Sequence, residues 1–324
     1  MKRRAVLSWI GVTFLGMTAC ARAQSAKIPR IGFLRTTRPP QSYIDAFEKG
    51  LVGQGYTPGK TILIEYRFAG GNLPELDRLA REIVDSKVDV IVAGGGLATR
   101  AAMRATSTIP IAMTSASDPV GTGLVASLSR PGGNVSGTSI VSWDLFAKRL
   151  ELLKQMLPNV THVAVLINRN NPAPANGWDN ALESARTLGI ALQRIDVTAI
   201  AEFEDAFETM RKGRAEALLV VQSNIFETPP FPIQQLALTY RIPAMYGLRT
   251  STDAGGLISY GPNVRELYEY AAVFVAKFLR GVKPADLPVE QPTKIELVIN
   301  LQTAKRLGMA IPQSLLLRAD DLLQ

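Results

Sequence analysis

Two acidic residues stand in matching settings. Asp118 lies in Thr114–Gly137, TSASDPVGTGLVASLSRPGGNVSG, and Asp253 in Ser251–Asn263, STDAGGLISYGPN. Each stretch follows an apolar run, Ile109–Met113 or Ile242–Gly247, and each closes with Gly or Pro beside Asn. Asp in Asp-Pro or Asp-Ala-Gly-Gly is a good turn former or helix cap. A carboxylate so placed can equally receive a ligand ammonium through charge-assisted hydrogen bonds. Gly94-Gly95-Gly96 before a helical pattern has the same double reading: a tight turn, or amide groups that hold a small anion at a helix start. It lacks the Lys-Ser/Thr of a phosphate loop and the spacing of a dinucleotide fingerprint, which argues against a nucleotide.

Catalytic equipment is sparse. His162 is the only histidine, and it falls at the start of a predicted strand, away from the end where a cleft forms. A Ser-His-Asp arrangement would have to use it. His and Cys clusters that could hold a metal are absent from the sequence. The reading is of a binding protein without metal or cofactor; an α/β enzyme acting in the cleft is the different-class alternative.

The elements that must position these residues alternate. Strand signals at Ile31–Leu34, Thr61–Phe68, Val88–Ala93 and Ile109–Met113 are separated by helical spacings over Tyr43–Val52, Leu73–Ser86 and Leu97–Thr106. A further helical run is expected over Val120–Ser129. The second half repeats the plan, with strands at His162–Ile167, Ala191–Val197, Ala215–Val221 and Ile242–Gly247. A strong helix is expected over Arg265–Arg280 and a late strand over Thr293–Asn300. This order predicts an α/β protein of two doubly wound parallel-sheet lobes joined by a three-segment hinge. The expected lobes are residues 30–138 with about 284–324, and residues 139–258. Residues 259–283 form a crossover helix region returning to the first.

Ligands of open α/β sheets sit at the carboxyl ends of the strands. The loops there are Arg35–Tyr43, Gly94–Thr99 and Thr114–Val120 in the first lobe, and Asn168–Asn176, Gln222–Phe226 and Tyr246–Asp253 in the second. They give the candidate ligand residues Thr36, Thr37, Tyr43, Gly95, Gly96, Thr99, Ser115, Asp118, Pro119, Val120, Trp143, Asn168, Ser223, Asn224, Tyr246 and Asp253. Tyr43, Trp143, Phe226 and Tyr246 could line the cleft with rings or simply pack.

At 324 residues with 47% hydrophobic content the chain is long enough for two soluble domains. Met1–Arg4 is basic, Ala5–Met17 largely apolar, and Ala21-Arg22-Ala23 small-x-small: a signal peptide over residues 1–23, too short to span a membrane. Arg3-Arg4 loosely fits a folded-export signal. Cys20 is either discarded by cleavage after Ala23 or lipidated, and the first reading is preferred. The formal charge is +8, and the leader's four bases account for half of it. The remaining charges are interspersed, which gives no support to a nucleic-acid partner.

IGFLR (Ile31–Arg35), SDPVGTGLVASLSRPGGNVSG (Ser117–Gly137), AGGLISYGPN (Ala254–Asn263) and ADLPVEQPTKIELVINLQTAKRLGMAIPQSLLLRAD (Ala285–Asp320) together resemble the substrate-binding proteins of ABC importers. The likeness is to the bacterial family whose best-known members bind tryptophan, tyrosine or phenylalanine. It implies a periplasmic, monomeric type I binding fold that closes on a small molecule and docks on an inner-membrane permease. An amino-acid ligand would then need an ammonium partner among Asp118, Asp253 and Glu227. Its carboxylate would need donors such as Ser115, Thr99 or the amides of Gly95 and Gly96. A secreted domain that reports to a sensor is the other reading of the same fold.

Overall fold

The computed structural model describes residues 27–171 and 177–324. The expected signal peptide, Cys20 and the end of the Asn168–Asn176 loop lie outside them. The first lobe runs β1 (Arg30–Arg35), α1 (Gln41–Gly53), β2 (Leu63–Phe68), α2 (Leu73–Asp85), β3 (Val90–Gly94), α3 (Gly96–Ala105), β4 (Ile111–Ser117) and β5 (Val135–Ile140). Its sheet is ordered β2-β1-β3-β4-β5 and is parallel throughout. β3 is buried at every position because helices cover both faces. Val90 and Val92 face the core shared with α1, while Ile91 and Ala93 face the core shared with α2 and α3. Local chemistry agrees with the packing in α2: Asn72 caps it by accepting from the Glu75 amide, and Leu76, Leu79, Ala80 and Ile83 form its buried stripe.

The second lobe runs α4 (Phe146–Met156), β6 (His162–Asn168), α5 (Gly177–Thr187), β7 (Ala191–Val197), α6 (Phe203–Lys212), β8 (Ala217–Val220), a 3₁₀ turn (Asn224–Glu227), α7 (Pro232–Thr239), β9 (Ala244–Tyr246), α8 (Arg249–Asp253) and β10 (Ile258–Pro262). The chain then forms α9 (Val264–Leu279), which returns to pack on α1, before β11 (Ile295–Asn300), α10 (Leu301–Leu307), α11 (Gln313–Leu316) and β12 (Asp321–Leu323). The second sheet is ordered β12-β11-β10-β9-β8-β6-β7, and only β11 runs antiparallel to its neighbour β10. From β7 to β10 the order repeats that of the first sheet.

Two sequence expectations are corrected. The tail belongs to the second lobe, because β11 pairs along its whole length with β10 and β12 pairs with β11. Only the approach to it touches the first lobe: Glu290 bridges beside Thr138, exchanging backbone hydrogen bonds with Gly137 and Ser139 at 2.9 and 2.8 Å. Val120–Ser129 forms no helix. The amides of Leu124 and Val125 both turn back to the Pro119 carbonyl, and Gly123 at φ 72° takes the chain out of helical geometry.

The lobes are joined by three passages: residues 141–145, Asn263, and residues 291–294. Arg149, on α4, ties the first two together. Its Nε donates to the Tyr260 carbonyl and its Nη1 to the Ser142 carbonyl, each at 2.8 Å. The guanidinium is 1% exposed, and burial lowers its pKa to about 10.

Strand β4 carries a bulge between Met113 and Ala116 where it runs beside β5. Gly137 lies opposite at φ 142°, and a Cβ there would strike the Met113 carbonyl oxygen. Gly137→Ala is therefore expected to lose about 3 kcal/mol of stability, the upper range for overpacking. A melting temperature several degrees lower in calorimetry would show it; an unchanged melting temperature would mean that the bulge has room to relax.

Candidate functional site

The carboxyl ends of both sheets face each other across a cavity lined by Thr36, Gly95, Gly96, Leu97, Ser115, Ser117, Ile140, Asn168, Asn171, Gln222, Ser223, Asn224 and Ile225. Thr36 follows β1, Gly95–Leu97 open α3, and Ser115 and Ser117 end β4. From the other lobe, Asn168 ends β6 and Gln222–Ile225 follow β8. The free space at the centre is about 30 Å³, room for water-sized occupants only. Small-molecule sites are usually several hundred Å³, so this arrangement of the lobes leaves no free room for one.

Neutral donors and acceptors dominate the lining. Asn168 Nδ2 donates to Ser223 Oγ at 2.9 Å, and Asn168 Oδ1 accepts from the Asn170 amide at 3.0 Å. Thr36 is 2% exposed and its hydroxyl has no protein partner; the Gln222 Oε1 is likewise buried and unpaired. Such atoms cost stability unless something hydrogen-bonds to them. Ser115 reaches the cavity from the β4 bulge with φ 52°, a sparsely populated conformation for a residue with a side chain. Bulges of this kind re-aim a side chain, and this one points a hydroxyl at the cleft.

Gly95 has φ 87°, and a Cβ on it would lie 2.9 Å from Asn224 Nδ2. Glycine is needed here so that the opposite lobe can approach. The Gly95 amide already donates to the Thr114 carbonyl at 2.8 Å, which corrects the expectation that it is a ligand donor. The amides of Gly96 and Leu97, in the first turn of α3, have no acceptor within the helix.

Of the residues expected from sequence, Thr36, Gly95, Gly96, Ser115, Asn168, Ser223 and Asn224 meet at the cavity. The others do not. Thr99 donates its hydroxyl to the Gly95 carbonyl at 3.0 Å, within its own helix, and Thr37 donates to the Asn224 carbonyl at 3.1 Å. Asp118 accepts from the Gly121 amide at 2.9 Å and so caps its own turn. Pro119 anchors that turn through its carbonyl, and Val120 points outward at 41% exposure. Asp253 pairs with Arg249 at 3.3 Å and Arg265 at 2.7 Å, away from the cavity.

The aromatic expectations fail for one reason: rings gain more by packing than by facing a wet cleft. Tyr43 stacks on Tyr268 at 4.9 Å and its hydroxyl meets Thr250 Oγ1 at 3.1 Å. Tyr246 and Phe226 are buried in the core beneath α6 and α7. Trp143 stacks on Phe146 beside a separate recess near Asn180. No aromatic ring lines the cavity among the described residues.

Sequence reading missed Leu97, Ser117, Ile140, Asn171, Gln222 and Ile225 as lining residues. Five of them lie in or beside the nominated loops, and their side-chain directions could not be read from spacing. It also missed Arg35. This side chain is 1% exposed and its Nη2 lies 3.2 Å from Glu227 Oε2 and 3.0 Å from Asn224 Oδ1. Glu227 is 4% exposed. Burial outweighs the pull of Arg35 and pushes its carboxyl up to about 7. Among the described residues, no group of three or more His, Cys, Asp or Glu could hold a metal ion.

The model of the family described as ABC transporter substrate binding protein matches residues 41–323. A tyrosine-binding protein of Clostridioides difficile (strain R20291) is 29% identical over 329 aligned positions, covering 95% of this chain and 94% of that protein. A conserved domain protein from Vibrio cholerae has a crystal structure that superposes with a TM-score of 0.85 at 28% identity, covering 91% of this chain and all of that one. The ABC domain in complex with L-Trp from Streptococcus pneumoniae gives 0.84 at 24% identity, covering 91% and 99%. The ligand-free, open structure of a substrate-binding protein with adhesive properties from Clostridium difficile gives 0.63 at 27% identity, covering 92% and 100%.

The raised pKa of Glu227 has a stability consequence. The folded chain holds the proton more tightly than the unfolded one, so the group's contribution is full below the ordinary carboxylate range and is lost as pH rises through about 7. Glu227→Gln removes the titration. The stability of the parent relative to this variant should fall between pH 5 and pH 8, by on the order of 3 kcal/mol. Denaturant melts of both proteins across that range check it, and parallel pH profiles would refute the assignment.

Proposed function

The chain belongs to the ABC transporter substrate-binding proteins, and from that premise we propose that it is the periplasmic solute receptor of an importer, closing on an α-amino acid in the interlobe cleft. Its family consists of extracytoplasmic binding proteins rather than enzymes. In this reading the leader at residues 1–23 exports the chain, which works as a monomer and delivers its solute to an inner-membrane permease.

The observation that carries the reading is the cavity itself, built in equal measure from both lobes and lined with amides and hydroxyls. Three donors converge on one side of it: the buried Thr36 hydroxyl, the Ser115 hydroxyl and the opening turn of α3 with Gly96 and Leu97. Together they suit a carboxylate, which gains from both the hydrogen bonds and the positive end of the helix. The unpaired Gln222 Oε1 on the opposite lobe suits the ammonium. Asp118 and Asp253 are committed to local contacts, so neither is assigned this role. The tyrosine-binding relative and the protein crystallised with L-Trp support an amino acid as the solute. The better superposition on the L-Trp complex than on the open, ligand-free relative supports a closed arrangement of the lobes.

The test is a thermal-shift screen of residues 24–324, refolded to strip bound solute, against the twenty L-amino acids and their decarboxylated amines. One amino acid, or a small group, should stabilise the protein by about 2.7 kcal/mol at 100 times its dissociation constant, and its amine should not. Silence from all twenty would overturn the amino-acid reading. With the active solute in hand, Thr36→Val should weaken binding about tenfold, the cost of one hydrogen bond to a charged group; calorimetric titration reads it. Unchanged affinity would remove Thr36 from the carboxylate corner.

A further inference from the structure

Beside the cavity a charged cluster spans the two lobes, its two ions lying outside the lining. Arg35 ends β1 in the first lobe, and Asn224 and Glu227 bracket the 3₁₀ turn after β8 in the second. Arg35 Nη2 reaches Glu227 Oε2 at 3.2 Å and Asn224 Oδ1 at 3.0 Å. Asn224 Nδ2 in turn donates to the Gly94 carbonyl at 3.0 Å, and the Asn224 carbonyl accepts from Thr37 Oγ1 at 3.1 Å. All of these contacts cross from one lobe to the other. Tyr43 on α1 and Tyr268 on α9 are the titratable neighbours that face the pair from behind.

Parting the lobes would separate every one of these partners and return both charges to water. The cluster therefore exists only in the closed form. Within it the pairing is incomplete, since Arg35 Nε and Nη1 and Glu227 Oε1 have no protein partner. A buried ion of this kind is strongly destabilising when its counter-ion is removed, whereas replacing both by apolar groups of similar size is often neutral. Asn224 also lines the cavity, so one side chain touches both the solute space and the charged cluster.

We propose that Arg35 and Glu227, bridged by Asn224, form a clasp in which each charge is tolerated in the closed form only because the other meets it, so that the pairing sets the open–closed balance, and with it solute affinity, without touching the solute. The proposal rests on the reading of a cleft that closes, though not on which solute fills it. Arg35 and Glu227 are thus positioning residues, and they act through the closed geometry. Removing one member leaves the other buried and unpaired only when the lobes meet, so the closed form loses by on the order of 100-fold against the open one. Removing both members should give most of that back. A pair that contacted the solute directly would show no such recovery.

The experiment uses spin labels on Pro74→Cys and Ala201→Cys, exposed positions at the cleft ends of the two lobes. Residues 24–324 contain no native cysteine to interfere. Interlobe distances are measured by pulsed electron resonance at pH 8, without solute, in the parent, Arg35→Met, Glu227→Leu and the double variant. The parent should show a dominant short distance, each single variant a longer one, and the double variant the short distance again. Asn224→Ala, which strands no charge, should also lengthen the distance and serves if a single charge variant fails to fold by circular dichroism. A long distance in the parent, no lengthening in the foldable variants, or a double variant as open as the singles would each overturn the clasp. None of these readings involves an amino acid, so the clasp and the proposed solute fail or stand separately.

Discussion

Arg149 is the contact on which the two-lobed architecture turns. Its guanidinium is buried where the chain leaves the first sheet and where it comes back, and it donates to the Ser142 carbonyl on the first passage and to the Tyr260 carbonyl in β10, just before the second. A charge in such a place is tolerated because backbone carbonyls meet it, and its pKa falls only to about 10. Gly247 and Gly261 pack against the same side chain. The two passages are thereby kept in register, and the approach to the third, at Glu290, pairs with β5. Three tied segments fix where the strand ends of the two sheets stand relative to each other. Residues far apart in sequence, such as Thr36 and Ser223, consequently meet at the same place.

The distribution of polar groups follows from that restraint. Each lobe has an apolar core on both faces of its sheet, so the strand ends are the places where polar backbone and side chains can collect. On one side of the cleft they form a neutral set of amides and hydroxyls with several unsatisfied atoms. On the other they form the Arg35–Glu227 pair with its Asn224 bridge. The neutral set suits recognition, because its groups can re-pair with a solute at little cost. The charged pair suits closure, because its energy depends steeply on whether the lobes are together.

Much of the architecture was legible in the residues. Alternation of apolar strands with amphipathic helices named the first four strands of each lobe and the long helices between them, but not β5 or β10, which complete the repeat; the sheet order of the second lobe repeats that of the first. Boundaries went astray where local signals compete. Val120–Ser129 has helical spacing, yet its glycines and Pro119 turn the chain back on itself. The tail of about residues 284–324, expected in the first lobe, pairs in the second because a strand signal carries no information about its partner; β10, with a free edge, takes β11.

For the site the division is sharper. The sequence told which loops lie at the strand ends, since chain order and right-handed crossovers specify them. It also determined that those loops are neutral and rich in Ser, Thr, Asn and Gly. Which side chains face inward was set by contacts across the assembled fold. The rings of Tyr43 and Tyr246 went to the cores, Asp118 and Asp253 to their own turns and neighbours, and Arg35, at the start of a nominated loop, to a buried partner 192 residues away. The physical reason is that a side chain's direction depends on what it can pack against or pair with across the fold. Those partners come together only when both lobes are formed.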